Sequence, residues 1–595
     1  MCGMRSTSRA GWFLRICALF VSIGSNLAYS QAIVWHPWSE EMFTQAAREH
    51  KFVLLDLEAV WCHWCHVMDQ QTYNDPTVRH LMEKSYIAIK VDQDSRPDIS
   101  NRYEDYGWPA TVIFNADGSE IVKRQGYLPP RQMASILQAV IDDPSPGPSV
   151  VLEKPLAYAP TPFLSPALLT EVKAEFESQY DVSSKGWAFG HKYLDADSVE
   201  YASVLAQHGD TVQEKRVQDT LRAAQKLLDP AWGGAYQYST GGNWNEPHFE
   251  KLLSIQAQVM RTYAHAYGEW RMPNYLAAAQ SVHHYVRDFL TSSEGAFYVS
   301  QDADLIEGKH SATYFALGDL KRRALGIPRI DKHFYARENG WMIEALCALY
   351  AVTNDAVILQ EAERSAKWVI AHRSLADGGF SHGENDPAGP YLGDSLAMGQ
   401  AFLALYEVTG DRQWLKGAEA ARHFITMNFA AESGARFVTS RISTSRAYKS
   451  VPERDENAQL ARFANLLAHY TGEKEDQETA ARAMRYLATR EVAIAWLSAP
   501  VLLAETQYTH PPVHIAIVGR KNDPAAQALF QIALSAGPTY KRVEWWDPTE
   551  GPLSRNDIQY PTLSHAAAFF CTIKACSSPI FDSQKLEARL RKPDE

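Results

Sequence analysis

Five glycine-aromatic clusters punctuate the middle of this chain: Gly186-Trp187-Ala188-Phe189-Gly190, Trp232-Gly233-Gly234-Ala235-Tyr236, Glu294-Gly295-Ala296-Phe297-Tyr298, Asp377-Gly378-Gly379-Phe380 and Ser433-Gly434-Ala435-Arg436-Phe437. They recur at intervals of roughly 50 to 80 residues, the length of a helical hairpin with its loop. Apolar residues between them follow helical spacing, and about six such hairpins fit. A lone hairpin cannot bury its apolar face. Stacking hairpins buries it, and closing the stack into a ring removes both exposed ends. The expected unit is an all-α (α/α)6 toroid over residues 167–505, within a multidomain chain.

The flanks have a different rhythm. Residues 31–143 alternate strand and helix: a buried strand over 52–59, a helix opening at Cys65, strands over 86–91, 111–114 and 120–124, and a closing helix over 130–141. Residues 144–166 hold seven prolines, which sustain neither helix nor central strand and read as a semi-rigid linker. Beyond Pro511-Pro512, strands over 514–518, 542–546 and 567–571 and helices over 524–534 and 583–591 describe a small α/β unit, residues 511–595.

Arg5, Arg9 and Arg15 precede the apolar run 16–24, and Ala28-Tyr29-Ser30 follows, the layout of a secretory signal cleaved after Ser30. The run is too short and too interrupted for a membrane span. The expectation is an exported protein, periplasmic or secreted, without a membrane span after signal removal. Losing three arginines and no acids takes the formal charge from −12 to −15, so nucleic acid is not an expected partner. Export leaves Cys62, Cys65, Cys347, Cys571 and Cys576 in an oxidising compartment. Cys347 sits in an apolar helical run and reads as an inert buried thiol. Cys571 and Cys576 flank a four-residue turn and are spaced for a small disulfide loop, either a structural bridge or a second redox centre exchanging with Cys62, the alternative being a reduced pair.

Cys62 and Cys65 carry the chemistry. Their spacing places Cys62 at the mouth of a helix, where backbone amides stabilise a thiolate, and Cys65 one turn inside. Cys62 is therefore the expected nucleophile and Cys65 the resolving thiol. Asp56 lies on an apolar strand, where a carboxylate is costly without a task such as relaying the proton of Cys65. Trp108-Pro109 precedes the strand 111–114, where a cis proline would lie against the disulfide. A zinc site needs four convergent ligands, and no second pair with ligand spacing follows His63 and His66. No metal or cofactor is expected, and the partner is a redox protein or thiol.

Together, Asp56, Trp61-Cys62-x-x-Cys65 and Trp108-Pro109 resemble the thioredoxin fold. Cys62-His63-Trp64-Cys65-His66-Val67-Met68, with Lys90-Val91-Asp92 and Arg96-Pro97-Asp98-Ile99, is similar to the spermatogenesis-associated type of thioredoxin-domain protein. The likeness continues in residues 247–252, in Gln301-Asp302-Ala303-Asp304 and in Cys571 to Cys576 with Pro579. It implies a thioredoxin-like domain joined to a six-hairpin, glycosidase-like toroid.

In such a toroid the loops entering the inner helices converge on one mouth. His191, His248, Glu250, Asp302, Asp304 and Asp394 are the candidate residues there, with Trp187, Tyr236, Tyr238, Trp244 and Phe249 available to stack on sugar rings or to pack the turns. Opposed carboxylates suit a glycosidase, and a histidine acid-base pair suits an epimerase. The leading expectation is a thiol-disulfide oxidoreductase; the alternative is a carbohydrate-active or carbohydrate-binding toroid with an accessory thioredoxin-like part.

Overall fold

The computed structural model describes residues 32–151, 155–386, 388–432, 434–441, 450–555, 557–571 and 576–591. The expected signal segment, residues 1–30, and the turn 572–575 lie outside the described residues.

The first unit is a five-stranded sheet in the order β1-β3-β2-β4-β5, formed by β1 (Trp35–His36), β2 (Phe52–Glu58), β3 (Tyr86–Asp92), β4 (Ala110–Phe114) and β5 (Glu120–Gln125). β1, β3 and β2 are parallel; β4 and β5 run antiparallel to their neighbours. Central β2 is apolar on both faces because helices cover both. Val53, Leu55 and Leu57 pack with α1 (Glu40–Glu49) on one side, while Leu54 packs with α3 (Pro76–Ser85) and α5 (Pro130–Asp142) on the other. Two shorter helices, α2 (His63–Val67) and α4 (Pro97–Tyr103), follow β2 and β3. A π-helical turn, Met68–Thr72, continues α2. The helix thus opens at His63 rather than Cys65, with Cys62 as its cap. β1, two residues long, has no period by which sequence could reveal it.

The ring begins with α6 (Pro166–Ser178), α7 (Ala196–Gln207), α8 (Thr211–Ala224), α9 (Leu253–Trp270) and α10 (Pro273–Tyr285). Short pieces lie around these: β6 (Tyr238–Ser239), β7 (Pro247–His248), β8 (Lys251–Leu252), β9 (Ser300–Gln301), α11 (Ala312–Phe315), α12 (Asp319–Leu325) and β10 (Ile330–Asp331). It continues with α13 (Ala336–Thr353), α14 (Ala356–Arg373), α15 (Leu392–Thr409) and α16 (Arg412–Phe429). The last members are α17 (Arg454–Thr471), α18 (Lys474–Leu487), α19 (Arg490–Ala493) and α20 (Ala499–Thr509). Helices α7, α9, α13, α15, α17 and α20 each touch the next, and α20 touches α7, closing an inner ring. Outside it, α8, α10, α14, α16, α18 and α6 each back one inner helix. The toroid therefore starts at α6 and runs to Thr509, slightly beyond the expected 167–505.

Each glycine-aromatic cluster lies between an outer helix and the next inner one. Bridges Tyr180 to Trp187, Leu228 to Ala235, Thr291 to Phe297, Ser374 to Phe380 and Ala430 to Phe437 pin the five turns. Four inner helices bind the turn before them with their fourth residue. Gln256 Oε1 accepts the Ala235 N–H, Asn339 Oδ1 that of Phe297, Ser395 Oγ that of Phe380 and Asn457 Oδ1 that of Phe437. A buried N–H without a partner is costly, so these polar residues serve the turns. Gly234 shows why glycine recurs: its φ is 75°, and a Cβ would lie 2.5 Å from the Tyr285 ring.

The third unit is the sheet β12-β11-β13, from β11 (Val513–Val518), β12 (Lys541–Trp546) and β13 (Ala567–Cys571), with α21 (Pro524–Ser535) and α22 (Ser583–Leu590). It covers the end of the ring where the inner helices finish: α21 touches α13, β12 touches α15 and α17, and Arg271 donates to Ser535 O at 3.0 Å. Among the described residues no helix is long and apolar enough to cross a membrane. Cys347 is buried, and burial pushes its thiol pKa well up, as suits an inert side chain.

Cys571 and Cys576 are joined, with Cα atoms 4.0 Å apart. Closing so short a loop contributes about 2 kcal/mol to stability. Cys571→Ser should therefore destabilise the C-terminal unit by about that much and leave Cys62 reactivity unchanged. Calorimetry combined with thiol labelling checks both; an altered Cys62 would contradict the purely structural role. An electron relay between the two disulfides within one chain does not fit the fold. They lie at opposite ends of the ring, whose 18-residue inner helices span about 27 Å.

A disulfide at the mouth of the toroid

Cys62, extended at φ −87° and ψ 110°, caps α2, and its Sγ accepts the Cys65 N–H at 3.2 Å. The two cysteines are joined, with Cα atoms 5.3 Å apart. The loop after β2 places the pair at the C-terminal end of this central strand, where Trp61, Trp108 and Ala59 pack around it. The Trp108–Pro109 peptide is cis. Trp61 and Trp108 meet edge to face at 5.9 Å, and Trp61 Nε1 donates to Asp94 at 2.7 Å.

Asp56 is buried on β2 beside Lys90, whose ammonium lies 3.4 Å from it, 2.9 Å from Glu58 and 2.6 Å from Asp69. Burial, only partly offset by Lys90, raises the Asp56 pKa to about 7. The three carboxylates stand close enough to share a cation, and Lys90 supplies one.

The toroid completes the site. His63 Nδ1 lies 2.8 Å from Asp304 Oδ1, and His66 Nδ1 lies 3.2 Å from Asp304 Oδ2. The second His66 nitrogen bonds Val60 O at 3.1 Å and stands 3.7 Å from Asp302. Asp302 Oδ1 in turn accepts the Asp304 N–H at 2.8 Å. Burial raises the Asp302 pKa to about 7 against the pull of His66, whereas the two imidazoles, working against burial, lower that of Asp304. His66, Asp302 and Asp304 offer ligand atoms within 4.8 Å of one another, close enough for a metal ion. Both His66 nitrogens are already engaged, so a cation there would have to displace a proton.

The remaining candidates are scattered. Asp394 accepts from His382 at 2.8 Å, and the other nitrogen of that ring reaches Asp94 O at 2.6 Å, a second tie between the toroid and the thioredoxin-like domain. His248 stacks on Tyr238 at 4.4 Å, 3.8 Å from Glu250, and exposed His191 flanks the same tyrosine. The six residues thus do not share one open cleft: Asp302, Asp304 and Asp394 serve the domain junction, and His191 and His248 lie around Tyr238. Trp187, Tyr236 and Trp244 are buried in the turns, and Phe249 stacks on Phe315. Sequence reading did not single out His382 or Asp94; each bonds a partner hundreds of residues away, which leaves no local spacing to detect.

His66 and His382 make the junction pH-sensitive. Burial opposes their charge, but Asp304 with Asp302 around one and Asp394 with Glu338 around the other outweigh it and raise both pKa values to about 9. Such groups contribute stability that is complete below their unfolded pKa of about 6.5 and is lost as pH rises through the folded value. Docking of the thioredoxin-like domain should weaken between pH of about 6.5 and 9, seen as faster proteolysis of the 144–166 linker. A cleavage rate flat across that window would contradict it.

A helix-capping disulfide on a β1-β3-β2-β4-β5 sheet, flanked by a cis proline, defines a thioredoxin-type domain, here docked on a helical toroid. Residues 26–142 match the family described as Thioredox_DsbH, protein of unknown function, DUF255, and through this domain the chain belongs to the thioredoxin family. It is 30% identical over 105 residues to thioredoxin of Mycoplasmoides gallisepticum, covering 17% of this chain and 98% of that protein. It is 23% identical over 423 residues to spermatogenesis-associated protein 20 of Mus musculus, covering 65% of this chain and 50% of the relative. The chain spans half or less of the length of the spermatogenesis-associated relatives it matches. It is also similar to cellobiose 2-epimerase from Spirochaeta thermophila DSM 6192, with TM-score 0.45 and 12% identity over 58% of this chain and 98% of that one.

Proposed function

We propose that this protein is an exported thiol-disulfide oxidoreductase of the cell envelope, periplasmic or secreted. The observation that carries this reading is the Cys62–Cys65 disulfide capping a helix of a thioredoxin-type sheet. In the oxidised form a substrate thiolate attacks Cys62 Sγ, forms a mixed disulfide and expels Cys65 as a thiolate. A second substrate thiolate then attacks the substrate sulfur of that bond and releases the Cys62 thiolate. Two electrons pass from two thiols to the cysteines, and the substrate leaves as a disulfide. In the reverse direction Cys62 attacks and Cys65 resolves.

Asp56, with a pKa near neutrality, is the group assigned to protonate the departing Cys65 thiolate. His63, tied to Asp304 and sited between the cysteines, favours the reduced thiolate form when it carries its proton. Cys62 is 4% and Cys65 2% exposed, with Leu252 and Ile255 of the toroid packed beside them, so a protein partner requires the domains to part. The carbohydrate reading draws no support from the grouping of its six residues, which serve different places.

Equilibration with a glutathione series, followed by mass spectrometry, should reveal a reversible Cys62–Cys65 disulfide. Two thiols that stay free or metal-bound throughout the series would overturn the proposal.

A further inference from the structure

Between the redox domain and the inner ring lies a chamber of about 460 Å³, within the range of small-molecule sites. Trp61 and Trp108, which pack on the disulfide, form part of its roof. Arg261, Glu344, Gln400 and Gln459, on α9, α13, α15 and α17, turn polar groups inward where a packed core would be apolar. Exposed Glu104 and Asp455 mark its rim.

The charges do not balance. Eight carboxylates line the chamber against two guanidinium groups. Both guanidiniums are taken, Arg261 by Glu344 at 2.6 Å and Arg337 by Glu338 at 2.7 Å. Arg462 and Arg454 pair with Asp197 and Asp455. Asp94, Glu104, Glu453 and Glu456 then have no salt-bridge partner among the described residues: Asp94 accepts from Trp61, Glu453 from the first amides of α17 and Glu456 from Thr439 and Asn101. Burial raises all four pKa values, Glu104 to about 8 and Glu456 to about 7, so charge there calls for a cation beside it. Glu338, 3% exposed and lining the chamber, keeps Oε2 without a hydrogen-bond partner, a buried acceptor that a ligand donor would satisfy. The compact three-ligand clusters among the described residues lie elsewhere, so the acidity here is spread along the wall rather than gathered round one metal ion. An extended organic cation matches that spread, since ammonium groups can meet separate carboxylates while the alkyl chain lies against indole faces.

We propose that the chamber binds a small aliphatic di- or polyamine, held by Glu338, Asp94, Glu104 and Glu456 with its chain against Trp61 and Trp108. This goes beyond the oxidoreductase reading and does not depend on it: the amine is a bound ligand, with no covalent step.

Calorimetric titration of the full chain with spermidine and putrescine, with cellobiose and gluconate as comparators, tests the proposal. One saturable amine site is expected, weakened at least tenfold by Glu456→Gln and by Glu104→Gln, with neither comparator binding. Glu104 is exposed at the rim, so its variant remains informative if Glu456→Gln fails to fold. No saturable amine binding, amine binding unchanged in Glu104→Gln, or cellobiose binding as tightly as spermidine would each overturn it. The last result would move the site to neutral sugars. Binding that survives Cys62→Ser would show that it is separate from the redox chemistry; binding lost in that variant would overturn their independence.

Discussion

Cys62→Ser should reduce thiol-disulfide exchange with glutathione to the uncatalysed level, a loss on the order of 10³-fold or more. A serine hydroxyl does not ionise near neutral pH and cannot form the mixed disulfide. Cys65→Ser should behave differently, because Cys62 still reacts but nothing resolves the product. It should accumulate a stable Cys62–glutathione adduct that intact mass spectrometry detects. Exchange retained in Cys62→Ser, or an adduct on Cys65 rather than Cys62 in the wild type, would reverse the assigned roles. Asp304→Asn separates positioning from chemistry: exchange should continue, with a changed pH profile, because His66 loses a carboxylate that helps raise its pKa.

Asp229→Ala should destabilise the toroid by about 3–5 kcal/mol in denaturant titration. Lys251 Nζ lies 2.7 Å and Arg322 Nη1 2.6 Å from Asp229 Oδ2, and all three side chains are fully shielded from solvent. Burial lowers the Lys251 pKa to about 8 even with the carboxylate in place. Removing the one anion leaves two cations in a site walled by Tyr285 and Trp232, whose rings lie 4.1 Å from Lys251 and 4.9 Å from Arg322. Asp229→Asn should cost less, since its amide oxygen still accepts a hydrogen bond. A loss below about 1 kcal/mol for Asp229→Ala would mean that water enters the site and solvates the cations.

How far these features could be read in advance depended on their range along the chain. The Cys62–Cys65 spacing puts one cysteine at a helix mouth and the other a turn inside, so the motif was legible. The glycine-aromatic clusters were legible too, because each marks a turn required between an outer and an inner helix. Gln256, Asn339, Ser395 and Asn457, the residues that bind those turns, also recur at a constant place in their helices, a regularity that sequence reading passed over. Asp302 and Asp304 stand out in the sequence only as candidates at the mouth of the toroid. Their contacts with His66 and His63 join residues 236 to 241 positions apart. No local spacing encodes such a contact.

The sequence by itself determined three kinds of unit, a cysteine pair at the mouth of a helix, and a ring of hairpins, because helical period, strand length and turn chemistry act over a few residues. Only the tertiary structure decided that the thioredoxin-like domain sits on the mouth of the ring, that Asp302, Asp304 and Asp394 belong to that junction, and that an acidic chamber lies beneath it. Docking depends on the fit and charge of surfaces assembled from distant segments, and the free energy of that assembly has no counterpart in any short stretch of chain.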